Sequence, residues 1–263
     1  MKVRTILYHD VVDGDPDASG FPGAAAARYK LTQAAFARQL AAMAPLIQSP
    51  TTFTTLHGVG AGATVETPFL ITFDDGGSSF MHIADALEGH GWRGNFFITT
   101  DRIGTTGFLG RNDVAELARR GHGIGSHSAS HPYRISALPA DALVEEWRRS
   151  VDCLSEILGR AVRDASVPGG YYAPRCAEAA ATVGVRWLYT SEPTAMVGRV
   201  GDCRVLGRYC VYRGMSDRHA AALAAGNLWP AAQQKALWTA KGAVKRLAAP
   251  IWDMARSRVF ARG

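Results

Sequence analysis

The sequence predicts an α/β protein built as one domain around a parallel sheet or barrel. Three observations predict it. Short apolar runs alternate with amphipathic segments along the chain, in the order expected of βαβα units. At 263 residues the chain has a length that such barrels reach as single domains. The residues with most chemistry to offer, an aspartate pair and a histidine pair, each follow a strand-like run, where barrel strands enter their loops.

The elements follow in order. Val3–His9 reads as the first strand, and Thr32–Ile47 as a helix with Phe36, Leu40, Met43 or Ala44, and Ile47 at helical spacing. Phe69–Phe73 is a short buried strand that stops at Asp74-Asp75. Ser79–Gly89 reads as a helix halted by Gly89 and Gly91. Asn95–Thr99 is the next strand, and Asn112–Arg120 a helix with Asn112 as its N-cap. Gly123–Ser128 leads into the histidine pair. A helix over Ala140–Leu158 places Leu143 or Val144, Trp147, Val151, Leu154 and Leu158 on one face. Ala165–Val167 runs into Pro168-Gly169-Gly170, a breaker, and Arg186–Thr190 and Arg204–Tyr212 read as later strands.

The composition is that of a globular domain, 47% hydrophobic and 20% charged, without a repeat of fixed period. The first ten residues show neither an apolar stretch nor a cleavage site of the secretory type, which points to a cytoplasmic location. The cysteines at 153, 176, 203 and 210 form no Cys-x-x-Cys pair, so no zinc knuckle is indicated. The net charge of +6 is concentrated: residues 226–263 hold seven basic residues against Asp253 alone. The rest is close to neutral, which argues against a general nucleic-acid surface. We read 1–225 as the barrel and 226–263 as a basic amphipathic extension. With Leu237, Trp238, Val244 and Leu247 beside Lys235, Lys241, Lys245 and Arg246, the extension suits peripheral contact with an anionic membrane face. It suits equally a terminal helix packed on the barrel with a solvated basic side.

Two histidines four apart, His127 and His131, can face one point. One aspartate of Asp74-Asp75 can complete a set of two histidines and one carboxylate, leaving a coordination position for water. A cation lowers the pKa of such a water, and the other aspartate is placed to take its proton.

Thr72-Phe73-Asp74-Asp75-Gly76 followed by His127-Ser128-Ala129-Ser130-His131 resembles the first two motifs of the polysaccharide deacetylases, carbohydrate esterase family 4 or the NodB-homology family. Gly94–Ile98 and Gly121–Ser126 resemble the flanking segments. The resemblance covers roughly residues 1–215 and is specific across 68–135. It implies a distorted (β/α) barrel, Asp74 as catalytic base, and Asp75, His127 and His131 as metal ligands. Zinc is the default ion; cobalt, nickel or iron fit the same ligands.

The later motifs depart from the family. Where its third motif has Arg-x-Pro-aromatic, this chain has Ser166-Val167-Pro168-Gly169, so the arginine that orients the base is missing. Arg208 is a candidate substitute, although a surface arginine is the ordinary expectation for it. The N–H of Gly169 remains available to an oxyanion, and Tyr171 and Tyr172 are candidates to stack on a sugar or to pack in the core. No Leu-x-His stands near Val205–Tyr212. Instead, Ile6–Val12 resembles the opening of the rearranged members that deacetylate poly-N-acetylglucosamine, which implies His9 as the general acid. The Asp–Trp pair of the fourth motif has no match; Trp187 and Glu192 lie nearby, and core packing explains Trp187. His57, His82, His90, His122 and His219 read as bystanders.

The expected function is metal-dependent N-deacetylation of an amino sugar. For a cytoplasmic chain, a lipid- or nucleotide-linked precursor of a surface polysaccharide is the expected substrate. The rivals are a non-catalytic carbohydrate-binding barrel and a deformylase or amidase using the same metal chemistry.

Overall fold

The computed structural model describes residues 1–58 and 67–240. Its strands are β1 (Arg4–Tyr8), β2 (Phe69–Phe73), β3 (Asn95–Ile98), β4 (Gly123–Ser126), β5 (Asp164–Ser166), β6 (Trp187–Tyr189), β7 (Val197–Val200), β8 (Cys203–Leu206) and β9 (Tyr209–Cys210). They form one sheet in the order β7-β8-β6-β5-β4-β3-β2-β1-β9. All neighbours are parallel except the β7–β8 hairpin. The helices are α1 (Ala24–Ala27), α2 (Gln33–Met43), α3 (Phe53–Gly58), α4 (Phe80–Glu88), α5 (Arg111–Arg119), α6 (Ala140–Leu158), α7 (Pro174–Thr182) and α8 (Asp217–Ala224). Residues 228–240 are also helical.

The closure of the sheet follows from one short connection. β8 and β9 lie toward opposite ends of the strand order, yet only Gly207 and Arg208 separate them. Three Cα steps reach no more than about 11 Å, so the sheet must curl until its ends approach. A second tie works at the bottom of the curl. Val3 N–H donates to the Ala195 carbonyl at 2.9 Å, and Lys2 bridges Met196. The strand expected over Arg204–Tyr212 is therefore two strands in different places, split where the chain crosses the seam. The crossing needs a glycine: a Cβ at Gly207 would stand 2.3 Å from the Glu192 carbonyl oxygen and 2.5 Å from Thr194 Cγ2.

Inside the curl, Phe53 of α3 meets Phe97 of β3 and Tyr189 of β6, with ring centroids 5.1 and 5.4 Å away. Outside, Phe36 and Leu40 of α2, Ile83 and Leu87 of α4, and Val114 and Leu117 of α5 bury their apolar faces against the sheet. Helix ends obey local chemistry. Thr32 caps α2 through its hydroxyl, which accepts from the Ala35 N–H at 3.2 Å. The start of α5 differs from expectation: the Asp113 carboxylate accepts from Gly110 N–H at 2.8 Å, and Asn112 lies within the first turn. A carboxylate at the third helical position reaches the cap amide, whereas Asn112 would have to sit two positions earlier to be the cap.

In the basic extension, the side chain of Gln234 pairs with both backbone groups of Cys210 on β9, at 3.0 and 2.8 Å. The rest of that extension, from 241 onward, lies outside the described residues. No helix among the described residues is long and apolar enough to cross a membrane.

Gly207→Ala is expected to cost about 1–3 kcal/mol, because the clash falls on backbone at the seam. A urea-unfolding midpoint equal to that of the unmodified chain would contradict this account of the closure.

Candidate metal and acid–base site

Parallel strands deliver their last residues to one rim, and the chemistry gathers there. Asp74 follows β2, held by its N–H to the Tyr8 carbonyl at 3.1 Å. His9 follows β1, His127 follows β4, and Ser166 ends β5. Asp75 Oδ1 lies 3.4 Å from His127 Nε2 and 3.7 Å from His131 Nε2. Each of the three residues offers a ligand atom within 4.8 Å of the others. His127 has a defined tautomer in this network. Ser166 Oγ donates to Asp74 Oδ1 at 3.2 Å, so it accepts from His127 Nδ1 at 2.5 Å. That leaves Nε2 with a free lone pair on the side of Asp75.

The non-glycine residues at positive φ among those described are Asp75 (89°), Ser128 (65°) and His131 (58°). All three belong to this site. Such backbone costs on the order of 1–3 kcal/mol per residue and persists only where the surroundings impose it. At Ser128 and His131 serines impose it. Ser128 Oγ accepts from the His131 N–H at 3.1 Å, and Ser126 Oγ accepts from the Ser128 N–H at 3.1 Å. The N–H and hydroxyl of Ser130 both donate to the buried carboxylate of Glu146 on α6, at 2.5 and 3.0 Å. The serines between the histidines thus fold the turn that swings His131 back toward His127.

The largest departure from expectation is Arg208. It is fully buried rather than at the surface. Nη1 and Nη2 donate to Oδ1 and Oδ2 of Asp74, both at 2.7 Å, and Nε donates to the Thr190 carbonyl at 3.0 Å. Ser166 stands where the resemblance implied an arginine, and a guanidinium comes from the seam instead. Burial alone would raise the pKa of Asp74; the Arg208 guanidinium outweighs it and holds the carboxyl below its ordinary value, with help from His127 and His9. Asp75 is likewise lowered against burial, by His127, His9 and His131. His131 is pushed down to about 4 by burial and by His127.

His9 faces this cluster closely enough to bias both carboxylates. Its ring packs on Tyr29 at 5.0 Å, and its buried Nδ1 has no hydrogen-bond partner among the described residues. Gly169 adopts φ 64°, and a Cβ there would come 3.1 Å from the Tyr133 carbonyl oxygen. Tyr171 faces Tyr133, with hydroxyls 3.2 Å apart. Tyr172 instead packs against the cluster that includes Trp147 and Ala177, and burial lifts its hydroxyl to about 12. His57 bonds Asp164, and His122 bonds Glu88 and the Gly94 N–H, all in the scaffold.

One wall of the site carried no sequence signal. The buried Lys30 donates to the carbonyls of Pro16, Ser19 and Phe21 at 2.7, 2.6 and 2.7 Å. Asp10 is buried and accepts from Ser19 Oγ and Ser79 Oγ at 2.6 and 2.8 Å. The loop so fixed sets Phe21 against His131, ring centroids 4.5 Å apart.

Residues 61–188 match the family described as polysaccharide deacetylase. No curated protein matches the sequence. Among solved structures, a polysaccharide deacetylase from Bacillus cereus is 18% identical with a TM-score of 0.70, over 85% of this chain and 69% of that one. The Streptococcus pyogenes deacetylase PplD, in complex with acetate, is 17% identical with a TM-score of 0.70, over 82% and 95%. IcaB from Ammonifex degensii is 24% identical with a TM-score of 0.66, over 84% and 97%. At these identities the likeness is one of fold.

Arg208→Gln is expected to destabilise the protein by about 3–5 kcal/mol near neutral pH, since it strands a buried carboxylate. In the unmodified chain Asp74's lowered pKa gives stability that is full above the ordinary carboxylate value and lost as pH falls through the folded value. In the variant, only His127 and His9 remain to oppose burial, and Asp74 takes up a proton at higher pH. The gap between the two proteins, measured by urea unfolding, should therefore narrow on acidification. A gap independent of pH would contradict the pairing.

Proposed function

We infer, from the match of residues 61–188 to the polysaccharide deacetylase family, that the chain is an amide-bond hydrolase that removes acetyl from an N-acetylated amino sugar. One observation carries the reading. A carboxylate held ionised by a buried arginine, Asp74, stands beside a donor set of two imidazoles and one carboxylate at the same strand ends as His9. Asp75, His127 and His131 fit a divalent ion. The donors converge, and the Nδ1 of His127 is committed to Ser166 so that Nε2 is free. The set is of mixed nitrogen and oxygen type, which suits zinc first and cobalt, nickel or iron next. When bound, such an ion supplies Lewis acidity toward an amide carbonyl and toward water.

The chain's own groups supply the proton transfers. Asp74 takes a proton from the attacking water, and Arg208 keeps that carboxylate ionised and fixes both its oxygens. The N–H of Gly169, presented by the turn after Pro168, donates to the oxyanion as the carbonyl becomes tetrahedral. His9 gives its proton to the departing amine. The C–N bond breaks, and the products are acetate and a free amino sugar. Tyr171 offers its ring to the sugar. Read with a cytoplasmic location, the substrate is a lipid- or nucleotide-linked precursor.

Protein purified without a tag is expected to hold about one metal per chain by elemental analysis, lost in His131→Ala. A chain that is metal-free and refuses added zinc, cobalt and nickel would turn the assignment toward a non-catalytic carbohydrate-binding barrel.

Asp74→Asn should keep the metal and lower kcat for acetate release from N-acetylated sugars by about 10²–10⁴-fold. Undiminished turnover in that variant would remove Asp74 from the role of base.

A further inference from the structure

Two guanidinium groups stand at the rim, and neither is ion-paired among the described residues. Arg102, in the turn after β3, lies over the Phe21 ring at 5.4 Å, and that ring packs on His131 at 4.5 Å. Arg134, three residues beyond His131, lies over the Tyr171 ring at 5.0 Å, and Tyr171 faces Tyr133 at 5.4 Å between centroids. Arginine and aromatic ring thus alternate around His131 on both sides. Both arginines are exposed.

Some of the other described arginines are ion-paired and some, such as Arg204 over the Trp187 ring, are not. Elsewhere Arg38 pairs with Asp217, Arg111 with Glu156 and Arg149 with Asp101. The last of these takes the carboxylate next to Arg102 in sequence. In the loop that carries Phe21, Asp15 and Asp17 direct their carboxylates to the backbone N–H groups of Asp17 and Gly23. The rim therefore keeps two positive charges beside a set of residues that would itself hold a cation. A neutral amino sugar gives no compensation for that charge. Stacking on an aromatic face also orders a guanidinium without using its in-plane N–H donors, which match a phosphate bidentately.

We propose that the rim recognises a phosphate or diphosphate ester on the N-acetylated sugar, gripped by Arg102 and Arg134 while the ring lies on Tyr171. The proposal rests on the deacetylase reading above. A sugar 1-phosphate, a nucleoside diphosphate sugar and a prenyl diphosphate sugar share this chemistry, and the attached group separates them.

The test compares kcat/KM of the zinc-loaded protein on a neutral N-acetylglucosamine trimer, N-acetylglucosamine 1-phosphate, UDP-N-acetylglucosamine and prenyl-diphosphate N-acetylglucosamine in neutral detergent. At least one phosphate ester should exceed the trimer by tenfold or more at low salt. The advantage should shrink as salt screens the charges and fall to near unity in the double variant Arg102→Gln/Arg134→Gln. A trimer that leads, with a ratio unmoved in the double variant, overturns the proposal. If no compound releases acetate, the deacetylase reading fails, and calorimetric binding decides the phosphate site separately. UDP-N-acetylglucosamine binding more tightly than the trimer, with the difference lost in the double variant, upholds it; equal binding rejects it.

Discussion

The buried ion pair between Arg208 and Asp74 is the constraint on which the rest of the site depends. Both carboxylate oxygens and the arginine Nε are engaged, the last on the Thr190 carbonyl. The pair therefore joins the end of β2 to the seam between β8 and β9 and to the residue after β6. It fixes charge and shape together. With the guanidinium in place the carboxylate is an anion of known orientation; without it, burial would shift the same group toward its neutral acid. The guanidinium carbon also lies over the ring of Phe97, 5.4 Å from its centroid.

A second layer of order surrounds that pair. Three residues hold positive φ against their own sterics, and at Ser128 and His131 serine hydroxyls together with Glu146 hold the turn. Ser166 couples the layers, since its hydroxyl lies between Asp74 and His127. Asp74 and the donor set are thus two parts of one hydrogen-bonded network, where displacement of either is felt by the other.

Much of the fold was legible because its signals are local. The strand Phe69–Phe73 and the helix Ala140–Leu158 have the bounds that periodicity assigned them. The aspartate and histidine pairs could be grouped because each ends a recognisable run. Arg208 could not be placed this way, because its partner lies 134 residues earlier in the chain. The run around it looked like one strand, and only tertiary structure shows the chain leaving the strand next to one edge of the sheet at Gly207 and joining the opposite edge at Tyr209. Tyr171 and Tyr172 illustrate a finer limit: adjacent residues of one type diverge, one toward Tyr133 and one toward the core, and no spacing rule separates them. Ser126, Ser128 and Ser130 were visible as letters, but their acceptors and donors are set by three-dimensional turns.

The clamp formed by Lys30 carries a consequence for how a ligand meets this rim. A lysine ammonium has three donors, and here all of them end on carbonyls of a single loop that contains no strand. A loop of this kind ordinarily loses conformational freedom when something binds beside it, and that loss weakens association. Here the freedom is surrendered when the chain folds. The wall that carries Phe21 is ready before any sugar arrives, and arrival requires the ligand, not the protein, to become ordered.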